Sequence, residues 1–297
     1  MMIEGIFPPI PTPFRGGDVD LAALASNVDR WMATRLAGLV VLGSNGEAPF
    51  IDEDEADRVV EAVRARITPP RRLIVGAGRE STRATIAAVR RAGALGADVV
   101  LVRTPSFFKP HMTREAFVAH YTAVADRSPV PVLLYNFTAL TGVAVSPDAV
   151  EVLARHDNSL GIKESGSDVA RVSEFIDRTP ADFSVLVGSA TALYASLLVG
   201  ARGAIVALAS IAPDLCVQLY DAVRAGDLAG ARDLQRRLAP LARLVIATHG
   251  VAGLKAALDL VGYIGGEPRL PLLPVSPDAL AQIRTALESF QRPLAQI

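Results

Sequence analysis

The chain has 297 residues, 51% apolar but only 5% aromatic, so a sizeable core is available and must be built mainly from Ala, Val, Leu and Ile. Acidic and basic residues nearly cancel at a formal charge of -1, which leaves no field to attract nucleic acid or an anionic membrane. Cys216 is the single cysteine, excluding an intrachain disulfide and any multi-cysteine metal site.

The N-terminal Met1-Met2-Ile3-Glu4-Gly5 runs directly into Ile6-Phe7-Pro8-Pro9, with no basic region followed by a long apolar one, and the expectation is a cytoplasmic protein. Apolar segments such as 196 to 212 are broken by Gly, Arg and Pro, so no membrane span is expected. Short apolar runs then alternate with stretches of helical period. Strands are predicted at 5 to 11, 38 to 43, 73 to 77, 98 to 103, 130 to 136, 159 to 163, 183 to 187 and 203 to 207. Helices are predicted at 20 to 36, 52 to 67, 81 to 95, 113 to 126, 146 to 155, 168 to 178, 190 to 199 and 211 to 224. Ser81 is suited to cap the third helix, and Ser146-Pro147 supplies a cap and a first-turn proline for the fifth.

Runs such as Leu39-Val40-Val41-Leu42 suit strands covered on both faces. Eight alternating units within residues 1 to 225 predict a (β/α)8 TIM barrel. An open doubly wound sheet is the alternative, but no dinucleotide glycine fingerprint follows the first strand, where Gly16-Gly17 reads as a turn. Residues 226 to 297 read as a C-terminal helical region with segments at 227 to 247, 250 to 261 and 277 to 290.

A barrel of this kind mounts its chemistry at the C-terminal ends of its strands. Only Lys109, Lys163 and Lys255 are lysines. Lys163 ends the sixth predicted strand in Gly161-Ile162-Lys163-Glu164-Ser165, where a low-dielectric barrel mouth can depress its pKa and free the amine to attack a ketone. The competing structural readings are a snorkelling lysine or a pair with Glu164 or Asp168. Lys109 reads as a solvated or anion-binding loop residue, and Lys255 as part of a periodic C-terminal helix. Tyr135 ends the neighbouring fifth strand and is a candidate proton relay, unless it merely fills the mouth. Gly43-Ser44-Asn45-Gly46-Glu47, after the second strand, and Gly188-Ser189-Ala190, after the seventh, offer donors to a carboxylate, although a plain βα turn or a helix cap explains them as well. His111, His120, His156 and His249 show no metal-ligand spacing, and neither a metal nor a cofactor is expected.

Three landmarks, Gly43-Ser44-Asn45-Gly46-Glu47, Tyr135-Asn136 with Thr141-Gly142, and Gly161-Ile162-Lys163-Glu164, occur in order after strands two, five and six. On them the chain resembles the dihydrodipicolinate synthase/N-acetylneuraminate lyase family over essentially its whole length. The resemblance implies a class I aldolase in which Lys163 forms the imine, Tyr135 relays a proton, and Ser44 and Asn45 hold the carboxylate of a 2-oxo acid. It further implies a homotetramer, a dimer of dimers, and a pocket that includes Gly188, Ser189, Phe107, Leu140 and Val206. Leu140 stands where dihydrodipicolinate synthase has an arginine for a distal carboxylate, and Phe107 where it has a tyrosine donated across a subunit interface. Gly253-Leu254-Lys255 and Gly262-Tyr263-Ile264-Gly265-Gly266, with the Leu234-Gln235-Arg236-Arg237-Leu238 helix, make the second half more similar to the 4-hydroxy-2-oxoglutarate aldolase branch. The expected reaction is cleavage of a 4-hydroxy-2-oxo acid to pyruvate and an aldehyde. A 2-keto-3-deoxy sugar acid aldolase or dehydratase is the alternative, and a pyruvate-binding regulator without turnover the third reading.

Overall fold

The computed structural model describes residues 2–291. Eight strands form one parallel sheet: β1 (Gly5–Phe7), β2 (Gly38–Val41), β3 (Arg72–Gly76), β4 (Val99–Arg103), β5 (Val132–Asn136), β6 (Ser159–Glu164), β7 (Ser184–Val187) and β8 (Gly203–Ile205). From β2 onward each pairs with the next in sequence, and β8 pairs with β1. The last seam, between β1 and β2, is closed by Ala37 N donating to Ile6 O at 3.0 Å, Val40 N to Pro8 O at 3.0 Å and Ile10 N to Val40 O at 2.9 Å. The result is the (β/α)8 TIM barrel expected from the alternation.

The outer helices are α1 (Leu21–Met32), α2 (Glu53–Arg64), α3 (Thr82–Ala94), α4 (Arg114–Ala125), α5 (Pro147–Leu153), α6 (Val169–Arg178), α7 (Leu193–Leu198) and α8 (Pro213–Arg224). Most start where a side chain can satisfy a free N–H. Ser81 accepts from Ala84 N and Ser146 from Ala149 N, while Asp52 and Glu55 form a reciprocal capping box. Two short features escaped the periodicity. Phe14–Arg15 and Asp18–Val19 form a small antiparallel hairpin whose turn, Gly16-Gly17, has φ of 60 and 90°, and Thr138–Thr141 make one helical turn after β5.

Apolar side chains divide into two layers. Phe7, Val40, Ile74, Leu101, Leu133, Leu186 and Ile205 fill the barrel, together with Tyr135. A larger cluster, including Trp31, Val59, Val89, Phe117 and Phe175, lies between strands and helices.

Beyond α8 come α9 (Leu228–Leu241), a π-helical stretch (Ala242–Thr248), α10 (Gly250–Leu260) and α11 (Pro277–Gln291). The predicted single helix from 227 to 247 changes register because Pro240 lies inside it and removes a backbone donor, and the following turn widens. Tyr263 stacks on Trp31 with ring centroids 5.0 Å apart, anchoring the segment after α10 to α1. Residues 292 to 297 of the predicted C-terminal region lie outside the described residues. Among the described residues, no helix is long and apolar enough to cross a membrane.

Candidate active site

β4, β5 and β6 deliver three side chains to one level of the barrel, because Arg103 is the register partner of Tyr135 and Tyr135 that of Lys163. Lys163 is 3% exposed, and burial alone pulls its amine from the usual 10.5 down to about 7. Its Nζ sits 4.2 Å from the centre of the Tyr135 ring. Neither expected carboxylate partner meets it. Glu164 points to the other face of β6, accepting from Asn136 Nδ2 at 2.6 Å and Gly166 N at 2.6 Å, and Asp168 caps α6.

The Tyr135 hydroxyl lies 3.0 Å from Ser44 Oγ. Burial pushes the phenol up to about 12, against the opposing effect of the Ser44 and Ser165 hydroxyls. Ser44 belongs to a turn whose strain sits beside its glycines: among the described residues, Leu42 and Glu47, with φ of 54 and 56°, are the non-glycine ones in left-handed conformation. Gly76 on β3 permits this path, since a Cβ there would lie 1.9 Å from Leu42 O. The turn is also held from the far end of the chain. Glu47, 1% exposed, pairs with Lys255 Nζ at 2.5 Å and accepts from Arg269 N at 2.8 Å. Lys255 is therefore structural, and Glu47 anchors the turn instead of facing the pocket.

A cavity of about 530 Å³ opens at this end of the barrel. Ser44, Tyr135 and Leu140 line it, as do Arg79, Glu80 and Arg103, which the sequence did not single out. Lys163 lies behind Tyr135 and is not among the residues lining this cavity, and other expected pocket residues lie outside the lining as well. Asn45 is half-buried in the turn outside the lining, and Phe107 is 78% exposed, edge-on to Phe108. Val206 is fully buried in the layer between barrel and helices, since it sits one residue past inward-facing Ile205. Gly188 packs against Ser165 and donates its N–H to Glu164 O at 2.6 Å. Ser189 Oγ lies 2.9 Å from Thr191 Oγ1, and Gln235 on α9 clasps the same turn through Ala190 O and Tyr194 N. Among the described residues no three His, Cys, Asp or Glu side chains form a metal-holding group.

The model of the dihydrodipicolinate synthetase family matches residues 2–290. The chain belongs to that family. It is 35% identical over 294 residues to a 4-hydroxy-tetrahydrodipicolinate synthase of Exiguobacterium, covering 97% of this chain and 98% of the relative. Dihydrodipicolinate synthase of Thermotoga maritima superposes with a TM-score of 0.93 at 33% identity, covering 98% and 99% of the two chains. YagE, a prophage protein of the same family from E. coli K12 solved in complex with pyruvate, does so with 0.92 at 30% identity over 98% and 99%. Family members are lyases and synthases of the class I aldolase type, and this chain is an enzyme of that type. The Exiguobacterium and Thermotoga relatives carry the synthase name, not that of the 4-hydroxy-2-oxoglutarate aldolase branch which the second half of the sequence suggests.

Proposed function

We propose that this enzyme forms a Schiff base between Lys163 and the C2 ketone of a 4-hydroxy-2-oxo acid and cleaves the C3–C4 bond to pyruvate and an aldehyde. The preferred substrate is 4-hydroxy-2-oxoglutarate, which yields glyoxylate. The observation that carries this reading is the buried amine of Lys163, pulled to about 7 and set against Tyr135. Near neutral pH a large fraction of that amine is unprotonated and nucleophilic. It adds to C2, the carbinolamine loses water, and the iminium accepts the electron pair of the breaking C3–C4 bond. Tyr135 takes the C4 hydroxyl proton while passing its own to Ser44, and Ser44 releases its own proton to solvent, so neither hydroxyl is left ionised. The resulting enamine is protonated at C3, and hydrolysis returns pyruvate and the free lysine. Ser44 and the turn amides bind the C1 carboxylate, with Asn45 supporting the turn.

The synthase reaction named for the relatives is the second reading, favoured by identities of 33 to 36% over nearly the full chain. Against it stand Phe107, which has no hydroxyl, and Leu140, which lines the cavity without a charge. Incubation with pyruvate and borohydride, followed by peptide mass analysis, is the test. The imine proposal requires a pyruvate-dependent increment on the Lys163 peptide, absent after Lys163→Ala. A wild-type protein that takes up no label would refute it. Products from 4-hydroxy-2-oxo acids then separate cleavage from water loss, and condensation of pyruvate with aspartate semialdehyde would favour the synthase.

A further inference from the structure

The polar lining of the cavity around Arg103 has no role in the reaction just described. Its charged members are Arg79, Arg103 and Glu80, an excess of one positive charge. The arginines are not equivalent. Arg79 directs Nε and Nη2 to Glu53 at 3.1 and 3.0 Å, so its two-nitrogen edge is occupied. Arg103 uses only Nη1, which donates to Glu80 Oε1 at 2.6 Å and Thr104 O at 3.2 Å. Among the described residues nothing accepts from its Nε or Nη2, the edge that fits a carboxylate with two parallel hydrogen bonds.

This free edge is held in place. Glu80 Oε2 accepts from Ser106 N and Phe107 N, each at 2.9 Å, so the carboxylate that grips Nη1 is itself fixed. Gly78 leaves room for the stem, because a Cβ there would lie 2.7 Å from Arg103 Cγ and 2.6 Å from its backbone nitrogen. Arg103 is two strands from Lys163, at the level of Tyr135, or roughly 10 Å across the sheet at one strand spacing per step. Two long side chains reaching inward from that separation can grip opposite ends of a five-carbon chain.

We propose that Arg103 is the specificity-determining residue for the far end of the substrate, binding a distal carboxylate through Nε and Nη2 in a pocket where residue 140 is apolar. The substrate class is thereby a 2-oxo dicarboxylic acid of about five carbons. This inference rests on the placement of the ketone at Lys163, and its test separates the two.

The probes are 2-oxoglutarate and 2-oxopentanoate, equal in chain length and different only in having a carboxylate or a methyl group at C5. Calorimetric titration of the wild-type enzyme is expected to show tighter binding of 2-oxoglutarate, with the preference shrinking as salt is raised. Arg103→Gln should weaken 2-oxoglutarate roughly 10- to 100-fold, the range of a charge-assisted hydrogen bond, and bring the ratio of the two affinities towards one. Arg103→Lys, which keeps the charge without the fork, should retain part of the preference. A wild-type enzyme that binds both acids alike, or an Arg103→Gln enzyme that keeps its preference, overturns the proposal. Borohydride trapping of 2-oxopentanoate reads the imine separately: its failure would refute Lys163 as the nucleophile and leave the Arg103 result standing.

Discussion

Tyr135 and Lys163 are register partners on adjacent strands, and the lysine Nζ lies 4.2 Å from the centre of the phenol ring. The amine thus faces an aromatic surface with no carboxylate beside it, and burial is the only cause of its lowered pKa. The face of a π-system holds an ammonium far less strongly than a carboxylate does, so nothing beside the amine fixes its proton.

The first expectation concerns rate against pH. The free amine must be neutral to attack, so kcat/KM should climb with pH through an apparent value of about 7 and then level. Tyr135, raised to about 12, stays protonated and contributes no descending limb below that value. A profile that rises only near the ordinary lysine value of 10.5 would show that the amine is not perturbed as the burial implies.

The lowered pKa also makes Lys163 a cost to the fold. Between about 7 and 10.5 the unfolded chain holds a proton that the folded chain has released, so stability attributable to this group rises with pH across that window. Below it the penalty is present in full. A tenfold change in proton affinity is worth roughly 1.4 kcal/mol, so Lys163→Met should melt above the wild type at about pH 6 by the equivalent of up to about 5 kcal/mol. The gap should narrow as the pH approaches 10.5. Thermal unfolding of both proteins across that range measures it, and a constant gap would assign the difference to packing.

Tyr135→Phe removes the phenol oxygen 3.0 Å from Ser44 but keeps the ring beneath Nζ. Turnover should fall by about 10²- to 10⁴-fold, the usual worth of a positioned proton-transfer group. If the lysine itself is undisturbed, borohydride trapping of pyruvate survives. Ser44→Ala should lower kcat by less, because water can take the place of a hydroxyl in the relay. Loss of trapping along with turnover in Tyr135→Phe would place the tyrosine in imine formation instead.

Sequence alone reaches the barrel and two of these side chains for a physical reason. A buried parallel strand announces itself by an apolar run, and Lys163 and Tyr135 are conspicuous because they end such runs at Gly161-Ile162 and Leu133-Leu134. Arg103 ends β4 in the same register, but an arginine at a strand end reads as solvated, and only the placement of Gly78 and Glu80 shows it held in the cavity wall. A signal was present in that Arg103 and Lys163 close their predicted strands and Tyr135 is the last residue but one of the strand between them. Val206 was misplaced because one residue of register separates the barrel interior from the outer layer. The strain at Leu42 and Glu47 left no trace in composition, since neither is a residue type that advertises a positive φ.

The grip on the Ser44 turn supplies the last expectation. Glu47 and Lys255 are 1% exposed, pair at 2.5 Å, and connect the turn after β2 to α10. Phe14 adds to the link, with Lys255 Nζ and the Arg269 guanidinium 4.4 and 4.2 Å from its ring centre. Removing one partner of a buried pair strands the other, at about 3–5 kcal/mol, whereas replacing both can be nearly neutral. Lys255→Met should therefore lower the melting temperature strongly, and the Glu47→Leu/Lys255→Met double variant should recover much of the loss. Activity should not follow stability. With Glu47 gone, Arg269 N loses its acceptor and the left-handed residue 47 loses the contacts that hold it, so Ser44 drifts from Tyr135. The double variant is accordingly expected to be folded, to retain the borohydride label on Lys163, and to turn over slowly. Recovery of full activity together with stability would show that the pair holds up the fold without positioning the turn.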